Sequence, residues 1–234
     1  MAAKVSNCKL IDVYYDTLET KILRFAPLQD SLPNFKPGQF LMLYLLREDG
    51  SPGESKPYSL SSSPFQRDYV EFTVKVKGFF TQKLDKLTVG SIIGIAGPYG
   101  VFCIDESKPS DVVLVAGGVG IAPFMSMIRY AVEKNLDKRI TLLYSNKELK
   151  DIIFFKELKQ LSSMSDRFKT IFTLTRENSV DGWEGELGRV DEDLIRKHVE
   201  KPEEKMFFIC GTVEMAKDLR ATLNKMGVDN KSIK

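Results

Sequence analysis

The chain has 234 residues, 43% of them hydrophobic and 28% charged, with a formal net charge of +2. A chain this long buries roughly 70–75% of its unfolded surface, so a core needs no disulfide or metal to hold it. The near-balanced charge excludes attraction to nucleic acid or an anionic membrane as an organising force. Cys8, Cys103 and Cys210 are spread along the whole chain, whereas zinc and iron–sulfur ligands cluster, so no metal site is expected. His198, the single histidine, follows Arg196 and Lys197 and is expected to be exposed. With no catalytic triad and no metal cluster, an enzyme built on this chain would leave its chemistry to a cofactor. The first residues lack the apolar stretch of a secretion signal. The charge-free runs 87–104 and 112–128 fall short of a membrane span and contain glycine and proline. A cytoplasmic protein without a membrane span is expected.

Residues 1–105 read as a series of short strands. In 69–77, Val70, Phe72, Val74 and Val76 alternate with Glu71, Thr73 and Lys75, which gives one buried and one wet face. Other strands are expected at 9–15, 20–26, 39–46 and 91–96. Turn signals separate them at Lys36-Pro37-Gly38, across 49–55 and at Gly97-Pro98-Tyr99-Gly100. Short strands punctuated in this way point to an antiparallel barrel or sandwich. Within this half, 55–63 gathers a cation, a proline, an aromatic and hydroxyls. Lys56 suits a phosphate, Tyr58 offers a flat face, and Ser59 offers a hydrogen bond at a ring edge. Further on, Lys75-Val76-Lys77-Gly78-Phe79-Phe80-Thr81 ends a strand in glycine. A short helix expected near Thr81 would make a second anion site. Phe35 and Phe40 read as core residues.

Residues 108–234 alternate strands with helical periods: strand 112–116 and helix 123–134, strand 140–144 and helix 152–164, strand 170–175, then strand 206–210 and helix 213–226. That alternation predicts a parallel sheet with helices on both faces. Thr212 is placed to cap the last helix, which ends near Gly227 and turns Met215, Leu219, Leu223 and Met226 inward. The most informative stretch is 111–129. A buried-strand run, Val112 to Ala116, leads into Gly117-Gly118-Val119-Gly120 and then Ile121-Ala122-Pro123. The helix that follows carries Phe124, Met127, Ile128, Ala131 and Val132 on one face. Pro123 suits the first helical position. Strand, glycine turn and helix together let a backbone approach a pyrophosphate closely. No acidic residue closes 140–144, where a ribose-binding carboxylate would be expected. Read alone, the stretch leaves a ligand-free βα turn open. Phe207-Phe208-Ile209-Cys210-Gly211 ends another buried strand at the carboxyl edge, where open α/β sheets bind ligands.

Five motifs follow one another: Pro-Gly-Gln-Phe (37–40), Lys-Pro-Tyr-Ser (56–59), Gly-Pro-Tyr-Gly (97–100), Gly-Gly-Val-Gly-Ile-Ala-Pro (117–123) and Cys-Gly-x-x-x-Met (210–215). In this order, across nearly the whole chain, they resemble the ferredoxin–NADP reductase superfamily of flavin-dependent NAD(P)H oxidoreductases. The resemblance implies two domains: an N-terminal antiparallel flavin-binding β-barrel over 1–107 and a C-terminal NAD(P)-binding α/β domain with a parallel sheet over 108–234. It implies FAD in preference to FMN, with NADPH or NADH as electron donor. Hydride would pass from nicotinamide C4 to flavin N5.

By the same resemblance, Lys56 and Pro57 lie at the flavin phosphates, Tyr58 against the isoalloxazine and Ser59 near its N5. The segment with Val74, Lys75, Val76, Gly78, Phe80 and Thr81 completes the flavin site. Gly117, Gly118, Val119, Gly120, Ala122 and Pro123 form the nicotinamide-dinucleotide pyrophosphate loop. Cys210, Gly211 and Met215 lie beside the nicotinamide. Tyr58, Ser59 and Cys210 are the catalytic candidates. Thr175 and Arg176 fall where NADP-using relatives hold the 2′-phosphate.

Two departures stand out. Position 56 is usually arginine; lysine keeps the charge and loses the bidentate fork. The last residues, Lys231-Ser232-Ile233-Lys234, lack the aromatic that covers the flavin in many relatives, so ring shielding is expected to come from elsewhere or to be absent. With no cysteine cluster in the chain, electrons are expected to go to a separate iron–sulfur protein, flavodoxin or haem protein, or to a small-molecule acceptor. Two alternatives stand beside this: an electron-transfer subunit of a larger complex, and a flavin- or nucleotide-binding sensor without turnover.

Overall fold

The computed structural model describes residues 4–29, 31–108, 111–179 and 181–234. Two compact units divide them: 1–103 with 122–130, and 104–121 with 131–234.

In the first unit, β1 (Ser6–Thr17), β2 (Thr20–Pro27), β3 (Phe40–Leu46), β4 (Pro52–Ser59), β5 (Val70–Lys75) and β6 (Ile92–Tyr99) form one antiparallel sheet in the order β4-β3-β6-β1-β2-β5. The sheet closes into a barrel where Leu60 bridges Phe72 and the Ser61 amide donates to the Glu71 carbonyl at 2.9 Å. Leu10, Leu23, Phe25, Leu41, Phe72 and Ile93 fill it. The short helix α1 (Phe79–Asp85) follows β5.

The expected turn across 49–55 is largely strand: β4 begins at Pro52 and pairs with β3 from Leu46↔Pro52 to Phe40↔Ser59. As the last strand of the sheet before the short closing bridge, β4 can carry Pro52 and Pro57, neither of which donates to a ladder. Phe35 is a core residue, as expected. Two of the five motifs meet here: Gln39 Nε2 donates to the Gly100 carbonyl at 3.0 Å, and Phe40 pairs with Tyr99.

In the second unit, β7 (Val112–Gly117), β8 (Ile140–Asn146), β9 (Phe168–Leu174), β10 (Glu186–Leu187) and β11 (Met206–Cys210) form a parallel sheet in the order β10-β9-β8-β7-β11. The first strand, β7, therefore lies between β8 and β11. The strand order reverses there, which opens a crevice at the carboxyl ends. Helix α2 (Ile121–Glu133) follows β7, and its residues 122–130 belong to the first unit. The remaining helices are α3 (Phe155–Met164), α4 (Glu192–His198) and α5 (Val213–Lys225). On one face of the sheet, Ile195 of α4 and Leu219 and Leu223 of α5 pack on Val113, Val115 and Leu143. On the other face, Phe155 of α3 meets Phe172 edge-on, with ring centroids 5.0 Å apart.

Several expectations shift. Helix α2 starts at Ile121, because a 3₁₀ turn over Gly118–Gly120 already winds the chain and the Ile121 amide donates to the Gly118 carbonyl. Pro123 is thus the third helical residue, where an N–H is still dispensable. Residues 121–128 are buried all round rather than on one face. Helix α4 fills a stretch that the sequence reading left without an element. Thr212 caps α5 as expected, accepting from the Met215 amide at 3.2 Å. His198 is not exposed: its side chain is 13% accessible, and Nε2 lies 2.8 Å from Glu186 Oε1. The short strand β10 brings Glu186 to the end of α4. The final residues also join the sheet. Ile233 pairs in parallel with Phe207, and the Ile209 amide donates to the Lys234 carbonyl at 3.1 Å.

Candidate cofactor sites

Beyond the Leu60–Phe72 bridge, β4 and β5 carry no further pairing with each other among the described residues. They part, and a groove of about 510 Å³ opens between β4 and the start of α1. Lys56, Pro57, Tyr58, Gly78, Phe80 and Thr81, all expected in the flavin site, line it together. The Tyr58 ring stacks on Phe80, with centroids 6.0 Å apart and planes 23° apart. Phe80 is buried, so it backs one face of the half-buried tyrosine. Burial pushes the Tyr58 hydroxyl up to about 12, so the phenol stays neutral across the physiological range. Lys56 is exposed and makes no ion pair among the described residues, whereas Lys75 pairs with Glu19 at 2.9 Å. Ser59 Oγ makes no hydrogen bond among the described residues and is half-buried. Phe79, which sequence reasoning passed over, adds a ring 71% exposed, with Lys83 Nζ 4.3 Å from its centroid.

The other flavin-site candidates have different jobs. Val74 is 1% exposed in the barrel core, because the alternation along β5 turns it inward; only its backbone is left for a ligand. Thr81 Oγ1 accepts from the Lys77 and Gly78 amides at 3.0 and 2.9 Å and donates to the Gly78 carbonyl at 2.8 Å. Its hydroxyl proton is committed to building the start of α1. Ser61 and Ser62 serve Glu71: Ser61 Oγ donates to Oε1 at 2.9 Å, and Ser62 Oγ accepts from the Glu71 amide at 3.1 Å.

In the second unit, the glycine turn and the end of β11 form one packed cluster. A Cβ at Gly120 would stand 2.1 Å from the Cys210 carbonyl oxygen, and one at Gly117 or Gly211 would stand 2.6 or 2.7 Å from the Met215 sulfur. Glycine at 117, 120 and 211 thus lets loop, strand end and helix start touch. Gly118 differs: φ is +52° and the space beside it is open, as a loop approached by a ligand requires. Ala122 and Pro123 are buried and offer a ligand little side-chain surface. Burial raises the Cys210 thiol above its usual range, so it stays protonated.

Thr175 and Arg176 lie exposed just past β9. The Arg176 amide donates to the Lys147 carbonyl at 3.0 Å, so a second cation follows the neighbouring strand. Thr175 Oγ1 donates to the Asn146 carbonyl at 3.2 Å, which takes up its proton. At the same edge, Asn146 is 5% exposed, and neither its amide nitrogen nor its side-chain oxygen has a partner among the described residues. A buried amide left so incurs an appreciable desolvation cost. The strand runs two residues past the expected end at 144, so Asn146 falls within it and Lys147 follows directly.

The family described as "Oxidoreductase FAD-binding domain" matches residues 7–104, and the one described as "Oxidoreductase NAD-binding domain" matches residues 114–221. The gamma subunit of sulfhydrogenase 1 from Pyrococcus furiosus is 30% identical over 227 residues, which cover 94% of this chain and 74% of that one. The chain belongs to the ferredoxin–NADP reductase superfamily. It is an oxidoreductase that uses FAD and NAD(P)H and exchanges electrons with a separate redox partner protein. Another relative of the reductase, NADH-cytochrome b5 reductase 1 of Dictyostelium discoideum, is 29% identical over 219 residues, covering 92% of this chain and 75% of its own. Among solved structures, the ferredoxin NADP+ reductase of Neisseria gonorrhoeae with bound FAD and NADP aligns with a TM-score of 0.83 and 25% identity. That match covers 99% of this chain and 98% of that one. No helix among the described residues is long and apolar enough to cross a membrane.

Proposed function

We propose that the Lys56–Tyr58 groove holds the flavin and that the turn at 117–120, with the ends of β8, β9 and β11, holds the nicotinamide dinucleotide. One observation carries the reading: six residues expected at the flavin line a single groove, with an exposed cation at Lys56 and a backed aromatic at Tyr58. When bound, FAD supplies two-electron exchange with nicotinamide and one-electron exchange with a partner. Tyr58 presents a neutral ring for stacking, and Ser59 presents a hydroxyl for the ring edge. Lys56 neutralises phosphate charge. Cys210 presents a small protonated thiol at the end of β11. None of these groups needs to act as a proton base for the hydride to move.

Arg176 and Lys147 favour NADPH, since two cations at adjacent strand ends suit a 2′-phosphate. The partner falls among iron–sulfur proteins, flavodoxins and haem proteins. A second reading, a subunit working inside a larger complex, draws on the likeness to a sulfhydrogenase subunit. In that case purified protein with FAD and NAD(P)H reduces no dye until its complex is restored.

The absorbance spectrum tests the flavin reading. The purified protein should be yellow, or become so with FAD, and bleach anaerobically with NADPH faster than with NADH. A protein that takes up no FAD overturns it. Equal losses for both nicotinamides in Arg176→Ala would remove the 2′-phosphate role.

A further inference from the structure

Tyr144 is fully buried, yet its hydroxyl is put to work at the edge of the sheet. It lies on β8 opposite Ala116 of β7, two residues before Gly118. The ring leans along the strand, and the hydroxyl donates to the Gly118 carbonyl at 3.0 Å. The same oxygen lies 3.3 Å from the Ile153 amide, which donates to it. A buried phenol is usually paired; the partner it takes here is the peptide at the centre of the glycine turn.

That choice has a geometric consequence. Gly118 sits at φ +52° with open space around it, so sterics do little to decide which way the 118–119 peptide faces. The Ile121 amide also donates to the Gly118 carbonyl, but Ile121 continues the same turn and moves with it. Tyr144 ties the carbonyl to the sheet instead. In a trans peptide the C=O and the next N–H point in opposite directions. With the Gly118 carbonyl held against the tyrosine, the Val119 N–H is turned the other way, out of the turn.

We propose that Tyr144 is a positioning residue for the nicotinamide dinucleotide: by holding the Gly118 carbonyl inward, it aims the Val119 amide at the pyrophosphate. This rests on the reading of the turn as the dinucleotide site. Tyr144 touches no ligand; it fixes the direction of a donor that does.

The test uses the FAD-loaded full chain carrying Tyr144→Phe, which keeps the ring and removes the hydroxyl. Loss of one neutral hydrogen bond predicts about a tenfold weaker dissociation constant for ADP-ribose by calorimetry. Adenosine, which lacks the pyrophosphate, should keep its affinity by NMR titration. In turnover, KM for NAD(P)H should rise by a similar factor while kcat stays within about twofold. Equal affinity of the variant and the wild type for ADP-ribose overturns the proposal, and so does an equal loss for adenosine. A wild type that binds no ADP-ribose refutes the dinucleotide site itself, a different failure. Where the variant does not fold, the wild type decides. In ¹⁵N-labelled protein titrated with inorganic pyrophosphate, the Val119 amide should shift among the most strongly in the chain. A stationary Val119 amide beside shifting neighbours overturns the inference.

Discussion

Lys56 shows how much a single side chain can settle. It stands where the family usually has arginine, exposed and without an ion pair among the described residues. Arginine holds a phosphate through two parallel N–H bonds, lysine through one mobile point charge. Lys56→Arg should therefore tighten FAD by several-fold, and Lys56→Ala should weaken it by about tenfold or more, as the loss of one charge-assisted contact implies. Titrating apoprotein with FAD and following flavin fluorescence checks both; an affinity unchanged in both variants removes Lys56 from the site. That Tyr58 and Lys56 share a groove was legible in the sequence because both belong to one short segment. The fate of Ser61 and Ser62 was not legible. Their partner, Glu71, comes from another strand, and only the closure of the barrel brings them together.

Glu71 ties several elements at once. It is 1% exposed on β5 and accepts from Arg24 of β2 at 2.9 Å and from Arg129 of α2 at 2.6 Å. Burial alone would raise its pKa, but Arg129 and then Arg24 outweigh burial and hold the carboxyl below its usual 4.5. A group whose folded pKa is depressed stabilises the fold above its unfolded pKa. That contribution fades as pH falls below about 4.5 and is gone below the folded value. Glu71→Gln removes the buried carboxylate shared by two guanidinium groups, of which Arg24 keeps Asp12 at 3.0 Å, and should cost about 3 kcal/mol at pH 7. The deficit should shrink in denaturant titrations as pH drops below 4.5, and a pH-independent difference would contradict this account. At the starts of α2 and α1, Gly120 and Gly78 give opposite expectations. Gly120→Ala drives a Cβ into the Cys210 carbonyl and should lower the melting temperature by many degrees. Gly78→Ala meets open space and should leave it within a degree or two. Helix α5 and the inward face of β5 were legible from sequence alone, but the other face of β5, expected to be wet, is buried at Glu71 and Thr73. Strand β4 was hidden by its prolines and exposed polar alternation, since an edge strand shows no continuous apolar run. Strand β10, two residues long, carries no period at all.

At the scale of the whole chain, each unit has its own core, one inside the barrel and one against the parallel sheet. That two-part organisation was legible because hydrophobic periodicity changes from strand-like to alternating strand and helix along the sequence. The groove was legible only as a set of residue types. Its form depends on β4 and β5 parting after a single bridge, which no local pattern announces. A ligand that binds only the folded groove stabilises the protein by RT ln(1 + [L]/Kd), about 2.7 kcal/mol at a hundredfold excess over Kd. For a chain of this length that corresponds to a rise in Tm of about 5–10 °C. Apoprotein heated with increasing FAD should show this rise growing with the logarithm of concentration. Lys56→Ala should reach the same rise at a higher FAD concentration, because the variant changes Kd and leaves the barrel core intact. A melting temperature indifferent to FAD would mean that the groove does not bind the flavin in its folded form, whatever the family resemblance implies.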